Sequence, residues 1–216
     1  IGCLSLGRKT FDVDFANEKI DSVEKKLKKL DPNILFFQKL ITNDDIGKEA
    51  LFFFKQNKCK KYLIIQSTFT DSKFIKIFTK LFKKPVLYIS FKEQRTGGRL
   101  RLNSLCGVNL GLHSLIKNKI YSDFVIFNKE FRYFNKKIVG FINDNEILEK
   151  NHLKKIENYK IKLDNISYSK PKIALIGKRP DGFDTCDYKV SELENKLKAK
   201  ISKISLKKLF NISSKV

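Results

Sequence analysis

The sequence predicts an α/β protein: a flavodoxin- or Rossmann-like doubly wound parallel sheet, followed by the start of a second α/β domain. Three observations carry that expectation. Short apolar runs alternate with amphipathic stretches of helical period along most of the chain. The runs are continuous, as YLIIQ at 62–66 illustrates, and strands covered by helices on both faces have that character. Polar segments follow the first, third and fourth runs, and right-handed crossovers bring such segments to one edge of the sheet.

Residues 1–6 (IGCLSL) read as a buried first strand, and the loop GRKTFD at 7–12 follows it. A helix is expected over 15–30, with Phe15, Ile20, Val23, Leu27 and Leu30 on its inner face, until Asp31 and Pro32 stop it. A second strand lies within 33–40 around the run ILFF, and a second helix covers 44–56. The third strand, 62–66, ends in the loop STFTD at 67–71, and a third helix runs over 72–82. The fourth strand, 85–90, gives way to FKEQRTGGRLRLNSLCGVNLGL at 91–112. There Leu105, Val108, Leu112, Leu115 and Ile116 recur at helical spacing, so a helix is expected over 103–117 with Asn103 or Ser104 as its cap. Two short strands, 124–127 and 137–141, and a long polar helix over 145–160 complete a first domain assigned to 1–168. SYSK at 167–170 and Pro171 read as a linker. The second domain, 171–216, opens with a strand at 172–177, a loop at 178–188, a helix over 191–200 and a strand at 201–204. That piece is too short to bury a core, and the chain starts at Ile1 with no methionine, so missing segments are expected at both ends.

The stretch 91–112 draws attention through its arginines. Of 45 Lys and Arg residues, only Arg8, Arg95, Arg99, Arg101, Arg132 and Arg179 are arginine, and half of them fall within 95–101 beside Gly97 and Gly98. In a chain so committed to lysine, that concentration indicates a need for the rigid guanidinium fork. A strand, a polar loop and a helix start is the geometry that presents ligand groups at the carboxyl edge of a parallel sheet.

A net charge of +22 and a pI near 9.8 raise nucleic acid as a partner. The lysines, however, are spread through nearly every predicted helix, as in EKKLKKL and KFIKIFTKLFKK, which is how solvated faces look. No nucleic-acid signature accompanies them, so no such partner is expected. No apolar run approaches the roughly 18 residues that cross a bilayer, and no membrane partner is expected. Cys3, Cys59, Cys106 and Cys186 are scattered without paired spacing, which suits reduced thiols in a cytoplasmic protein. His113 and His152 sit within predicted helices far from any carboxylate pattern and read as packed side chains. The motifs HExxH and GxSxG and a Walker loop are absent. Gln66, Thr70, Asp71, Glu93, Arg99, Asn103 and Asn109 instead offer the donors and acceptors that a polyol needs. These residues imply recognition of a sugar and supply no reaction centre.

RTGGRLRLNSLCGVNLGLH at 95–113 resembles a signature of the L-fucose isomerase-like proteins in the fucose/arabinose isomerase superfamily. LGRKTFDVDFA at 6–16, IIQSTFTD at 64–71 and IGKRPDGFDTCDY at 176–188 are similar to other segments of that family, in the same order. The resemblance implies the amino-terminal part of a metal-dependent aldose–ketose isomerase that moves a proton between C1 and C2 through an ene-diol. It implies Mn²⁺ held by two acidic residues and a histidine outside this chain, one carboxylate serving as acid and base. It also implies a homo-oligomer in which the first domain lends its loops to a neighbouring subunit's active site, with Arg8 reaching the substrate. The alternatives are a sugar-binding module without catalysis and a basic nucleic-acid-binding protein.

Overall fold

The computed structural model describes residues 1–94, 97–127, 132–144, 172–178, 180–183 and 189–213. The first unit alternates strand and helix without exception: β1 (Gly2–Leu6), α1 (Val13–Leu30), β2 (Leu35–Ile41), α2 (Asp44–Asn57), β3 (Tyr62–Gln66), α3 (Lys73–Phe82), β4 (Val86–Phe91), α4 (Ser104–Lys117), β5 (Ser122–Phe127) and α5 (Arg132–Ile142). All neighbouring strands are parallel and stand in the order β2-β1-β3-β4-β5, the flavodoxin-like winding. The strand order reverses between β1 and β3, so the loops that follow those two strands flank the crevice where such folds take ligands.

Burial explains the continuous apolar strands. Leu63 and Ile65 of β3 and Leu87, Ile89 and Phe91 of β4 face one cluster, shared with Ile20, Val23 and Leu27 of α1 and Phe134, Ile138 and Phe141 of α5. Tyr62, Ile64, Val86 and Tyr88 face the opposite cluster, with Ala50 and Phe54 of α2, Ile75 and Phe78 of α3, and Val108 and Leu115 of α4. Both faces of the sheet are thus covered by helices, as the sequence predicted. Fully burying one such side chain contributes about 1.5–3 kcal/mol.

Two expected elements differ. The run 137–141, read as a strand, lies inside α5, because Phe134, Ile138 and Phe141 turn inward at helical spacing. In α4 the buried face is carried by Gly107, Val108, Gly111, Ser114 and Leu115, whereas Leu105 is exposed. The two glycines set that orientation. A Cβ on Gly107 would stand 2.6 Å from the Gln66 amide nitrogen, and one on Gly111 would stand 2.1 Å from the Tyr88 hydroxyl. Small residues one turn apart let α4 lie directly on β3 and β4; of the expected apolar stripe Val108 and Leu115 are buried and Leu112 packs beside them, while Leu105 turns outward. The phenylalanine and leucine at the ends of the α1 stripe, Phe15 and Leu30, are half-buried, with Ala16 taking the central place.

At the opposite edge of the sheet, Lys61 is buried and its ammonium donates to the carbonyls of Phe141 and Ile142 at 2.8 and 2.7 Å. A cation there satisfies carbonyls that the end of α5 leaves without helical partners, and Asp144 completes the arrangement at 2.8 Å. The second unit contributes β6 (Lys172–Ile176), α6 (Val190–Leu197), β7 (Lys200–Ile204) and α7 (Leu206–Ser213), with β6 and β7 paired in parallel. The expected helix over 145–160 and the linker at 167–171, and with them the assigned boundary between 168 and 171, lie outside the described residues.

Candidate functional site

The loops after β1, β3 and β4 converge, and backbone bonds hold them together. The Phe69 amide donates to the Leu102 carbonyl at 2.8 Å, and the Asp12 amide donates to the Arg101 carbonyl at 3.1 Å. The Arg8 amide donates to the Thr68 hydroxyl at 2.8 Å. Each loop therefore supports the others, and side chains on them are placed by a rigid edge rather than by a free chain.

Arg8 stands at the centre. Its Nη2 donates to Asp71 Oδ2 at 2.6 Å, and its guanidinium lies over the Phe69 ring, 5.4 Å from the centroid. Asp71 is held from its other side, since Oδ1 accepts the Lys73 amide at 2.9 Å. The Arg8 side chain remains 38% exposed, and neither Nη1 nor Nε meets an acceptor among the described residues. A planar cation fixed on one nitrogen, with its remaining donors open, is prepared for a partner bearing paired oxygens.

Arg8, Thr70 and Asp71 border a cleft of about 320 Å³ between α2 and α3. Its floor is apolar, from Leu6, Ile41, Leu51 and Phe74, and Asn43, Lys48 and Lys73 stand on its rim. The Lys73 ammonium bonds Asp44 at 2.8 Å, which lowers the Asp44 carboxyl below its usual pKa and raises that of Lys73. Gln66 lies just beneath this edge, fully buried. Its amide donates to the Thr68 carbonyl at 2.7 Å and the Thr70 hydroxyl at 2.9 Å, so it shapes the loop after β3. Its Oε1 has no hydrogen-bond partner among the described residues.

The remaining expected site residues do not line this cleft. Glu93 turns into its own loop and accepts the amides of Arg101 at 2.8 Å and Asn103 at 2.8 Å, with Leu102 between them. Arg99 donates to the Thr10 carbonyl at 2.6 Å and thereby ties the loop after β4 to the loop after β1. Asn103 precedes α4 in the left-handed region at φ 52° and makes no side-chain cap. Ser104 makes none either, because its hydroxyl bonds Ser90 inside the core and accepts the Phe91 amide. Asn109 is exposed on α4. Arg95 lies outside the described residues, as do Arg179, His152 and Cys186; His113 is half-buried on α4.

Arg101 and Asp12 were not among the expected site residues. Arg101 Nε and Nη2 both reach Asp12 Oδ2, at 2.9 and 2.7 Å, and its guanidinium stacks 3.8 Å above the centroid of Phe15. Asp12 also caps α1 through the Phe15 amide at 3.0 Å. That amide first, and the Arg101 guanidinium second, hold the Asp12 carboxyl below its usual pKa. The sequence carried both signals, an aspartate three positions before Phe15 and an arginine among lysines, but nothing in it paired two residues 89 positions apart.

No three His, Cys, Asp or Glu side chains among the described residues come together as a metal site. The residues described here do not fit Mn²⁺, whose ligands the sequence resemblance places outside this chain. Among the described residues, no helix is long and apolar enough to cross a membrane.

Residues 2–144 match a family model described as the fucose/sulfoquinovose isomerase N-terminal domain. The chain is 27% identical over 205 residues to the sulfoquinovose isomerases of Priestia megaterium and Priestia aryabhattai, covering 95% of this chain and 42% of each relative. The sulfoquinovose isomerase of Alkalicoccus urumqiensis is 27% identical over 205 residues, covering 94% of this chain and 42% of that protein. The chain thus spans 42% of the length of these curated relatives.

Proposed function

Because the chain belongs to the fucose/sulfoquinovose isomerase family through residues 2–144, we propose that it is the amino-terminal part of an enzyme interconverting an aldose and a ketose. The reaction class is an intramolecular oxidation and reduction: a proton leaves C2 of the aldose, an ene-diol forms, and a proton is returned at C1. Sulfoquinovose is named for all three relatives and is the substrate to try first, a sugar whose sulfonate offers paired oxygens to a guanidinium.

The observation that carries this reading is Arg8, half-exposed at the switch point of the sheet, with Asp71 and Phe69 fixing it and its Nη1 and Nε open among the described residues. We assign this first unit, extending to about residue 168, the task of presenting Arg8 to the sugar. Thr70 and Asp71 border the same cleft and Gln66 shapes the loop beneath them. The part from 171 onward begins a second unit. The metal ligands and the acid/base carboxylate belong, in this reading, to the remainder of the enzyme, and the open edge of the sheet faces the active site of a neighbouring subunit in a homo-oligomer. The free thiols of Cys3, Cys59 and Cys106 support a cytoplasmic setting.

The test is direct. Full-length protein supplied with Mn²⁺ is incubated in deuterated water with sulfoquinovose and, separately, with L-fucose, and ketose formation is followed by NMR. Ketose appearing from either sugar, with solvent deuterium carried into the exchanging position, upholds the reading, and the faster sugar identifies the substrate class. No conversion of either overturns it.

A further inference from the structure

Gly182 lies in the loop after β6, beyond the segment that matches the family, yet it presses on the Arg8 site. Its carbonyl accepts the Ser72 amide at 2.9 Å and also the Ser72 hydroxyl. Its φ of +82° is one that glycine adopts readily and a side chain resists. A Cβ at this position would stand 2.7 Å from Asp71 Cβ and 2.8 Å from both its Cγ and Oδ1. Those atoms are tethered. Asp71 Oδ1 is engaged by the Lys73 amide and Oδ2 by Arg8. The next residue, Phe183, places its ring 6.2 Å from that of Phe69, the ring beneath the Arg8 guanidinium.

We propose that Gly182 is a positioning residue for the sugar site: the loop after β6 grips the loop after β3 and so fixes the Asp71 carboxylate, and through it the Arg8 guanidinium. Seating of the second unit on the first thereby sets the geometry of a substrate contact that lies entirely on the first. This inference rests on the preceding reading for the identity of the ligand, and on the Gly182 contacts for everything else. Its consequence is that Arg8 is fully placed only when residues 180–183 are docked.

The experiment is a double-mutant cycle in the full-length enzyme. Gly182→Ala should raise KM for the sugar about tenfold while leaving kcat within about twofold, the pattern for a contact present equally in the ground and transition states. In an Arg8→Ala background the same change should move KM less than about twofold, because the group through which Gly182 acts is gone. Multiplying effects in the two backgrounds would overturn the proposal. Should Gly182→Ala fail to fold, Ser72→Ala removes one donor to the Gly182 carbonyl without adding bulk; a smaller rise in KM that also vanishes with Arg8→Ala upholds the proposal, and an unchanged KM overturns it. If the enzyme converts no sugar, the preceding reading fails by itself, and hydrogen exchange decides Gly182. The Lys73 amide reports the place of Asp71, so faster exchange there in Gly182→Ala upholds the grip and unchanged exchange refutes it.

Discussion

Replacing Gly111 with alanine tests whether α4 truly lies flat on the sheet. Alanine in a helix interior is favoured over glycine by about 1 kcal/mol, so propensity alone would stabilise the chain. Packing opposes it. The new Cβ would sit 2.1 Å from the Tyr88 hydroxyl and 2.6 Å from its Cζ, and Tyr88 is 0% exposed in the cluster with Ile64, Val108 and Leu115. Ordinary contact needs more than an ångström of extra separation, so either the ring shifts within a closed core or α4 lifts. Overpacking of this kind costs about 1–3 kcal/mol, and the large displacement places it at the upper end. The net expectation is a loss of about 1–2 kcal/mol, seen as a Tm about 2–8 °C lower. The Tyr88 hydroxyl is buried with no hydrogen-bond partner among the described residues, and burial pushes its pKa up. Tyr88→Phe should therefore be neutral or stabilising by up to about 1 kcal/mol, and should recover part of the Gly111→Ala loss. Recovery is partial because Cζ remains. Thermal and urea melts of the four proteins give the coupling energy. A Tm that rises with Gly111→Ala would show that propensity wins and that the close approach of α4 has been misread.

Two further perturbations probe how the site edge and the far edge are held. Asp12 has a folded-state pKa below its unfolded value, so its contribution is present above the ordinary carboxylate pKa of about 4 and is lost as pH falls through the lowered folded value. Asp12→Asn should accordingly be less stable than wild type at neutral pH, with the gap closing in acid, as equilibrium urea unfolding across pH 2–7 will report. Lys61→Met should leave the carbonyls of Phe141 and Ile142 without their cation and lower stability by about 1.5–3 kcal/mol in the same assay, whereas an unchanged midpoint would mean that water replaces the ammonium.

The layered sheet was legible because its evidence is local. Apolar runs such as YLIIQ and helical stripes such as Ile20, Val23 and Leu27 each declare their element within a few residues. The convergence of the loops after β1, β3 and β4 was also legible, since winding rules alone bring them to one edge. Side-chain partnerships across that edge were not. Arg99, read as a ligand for hydroxyls, places its Nη2 on the Thr10 carbonyl, and Glu93 accepts its own loop's amides, ties that no local pattern announces. Polar residues in a loop serve either purpose, and composition does not distinguish them. The strand expected at 137–141 failed for a related reason. An isolated apolar run fits either period, and only Phe134, three residues upstream, reveals the helical one. The glycines of α4 carried their message in an absent side chain, which an apolar count passes over.

Whether this unit presents Arg8 to a sugar is decided by one steady-state measurement: kcat/KM of full-length Arg8→Lys alongside its melting temperature. A lysine keeps the charge and can still meet Asp71, but it lacks the fork whose Nη1 and Nε stand open among the described residues. Losing that charge-assisted contact is expected to lower kcat/KM roughly tenfold to hundredfold, with Tm within about 2 °C of wild type. An unchanged kcat/KM would contradict the account, whatever happens to the Tm.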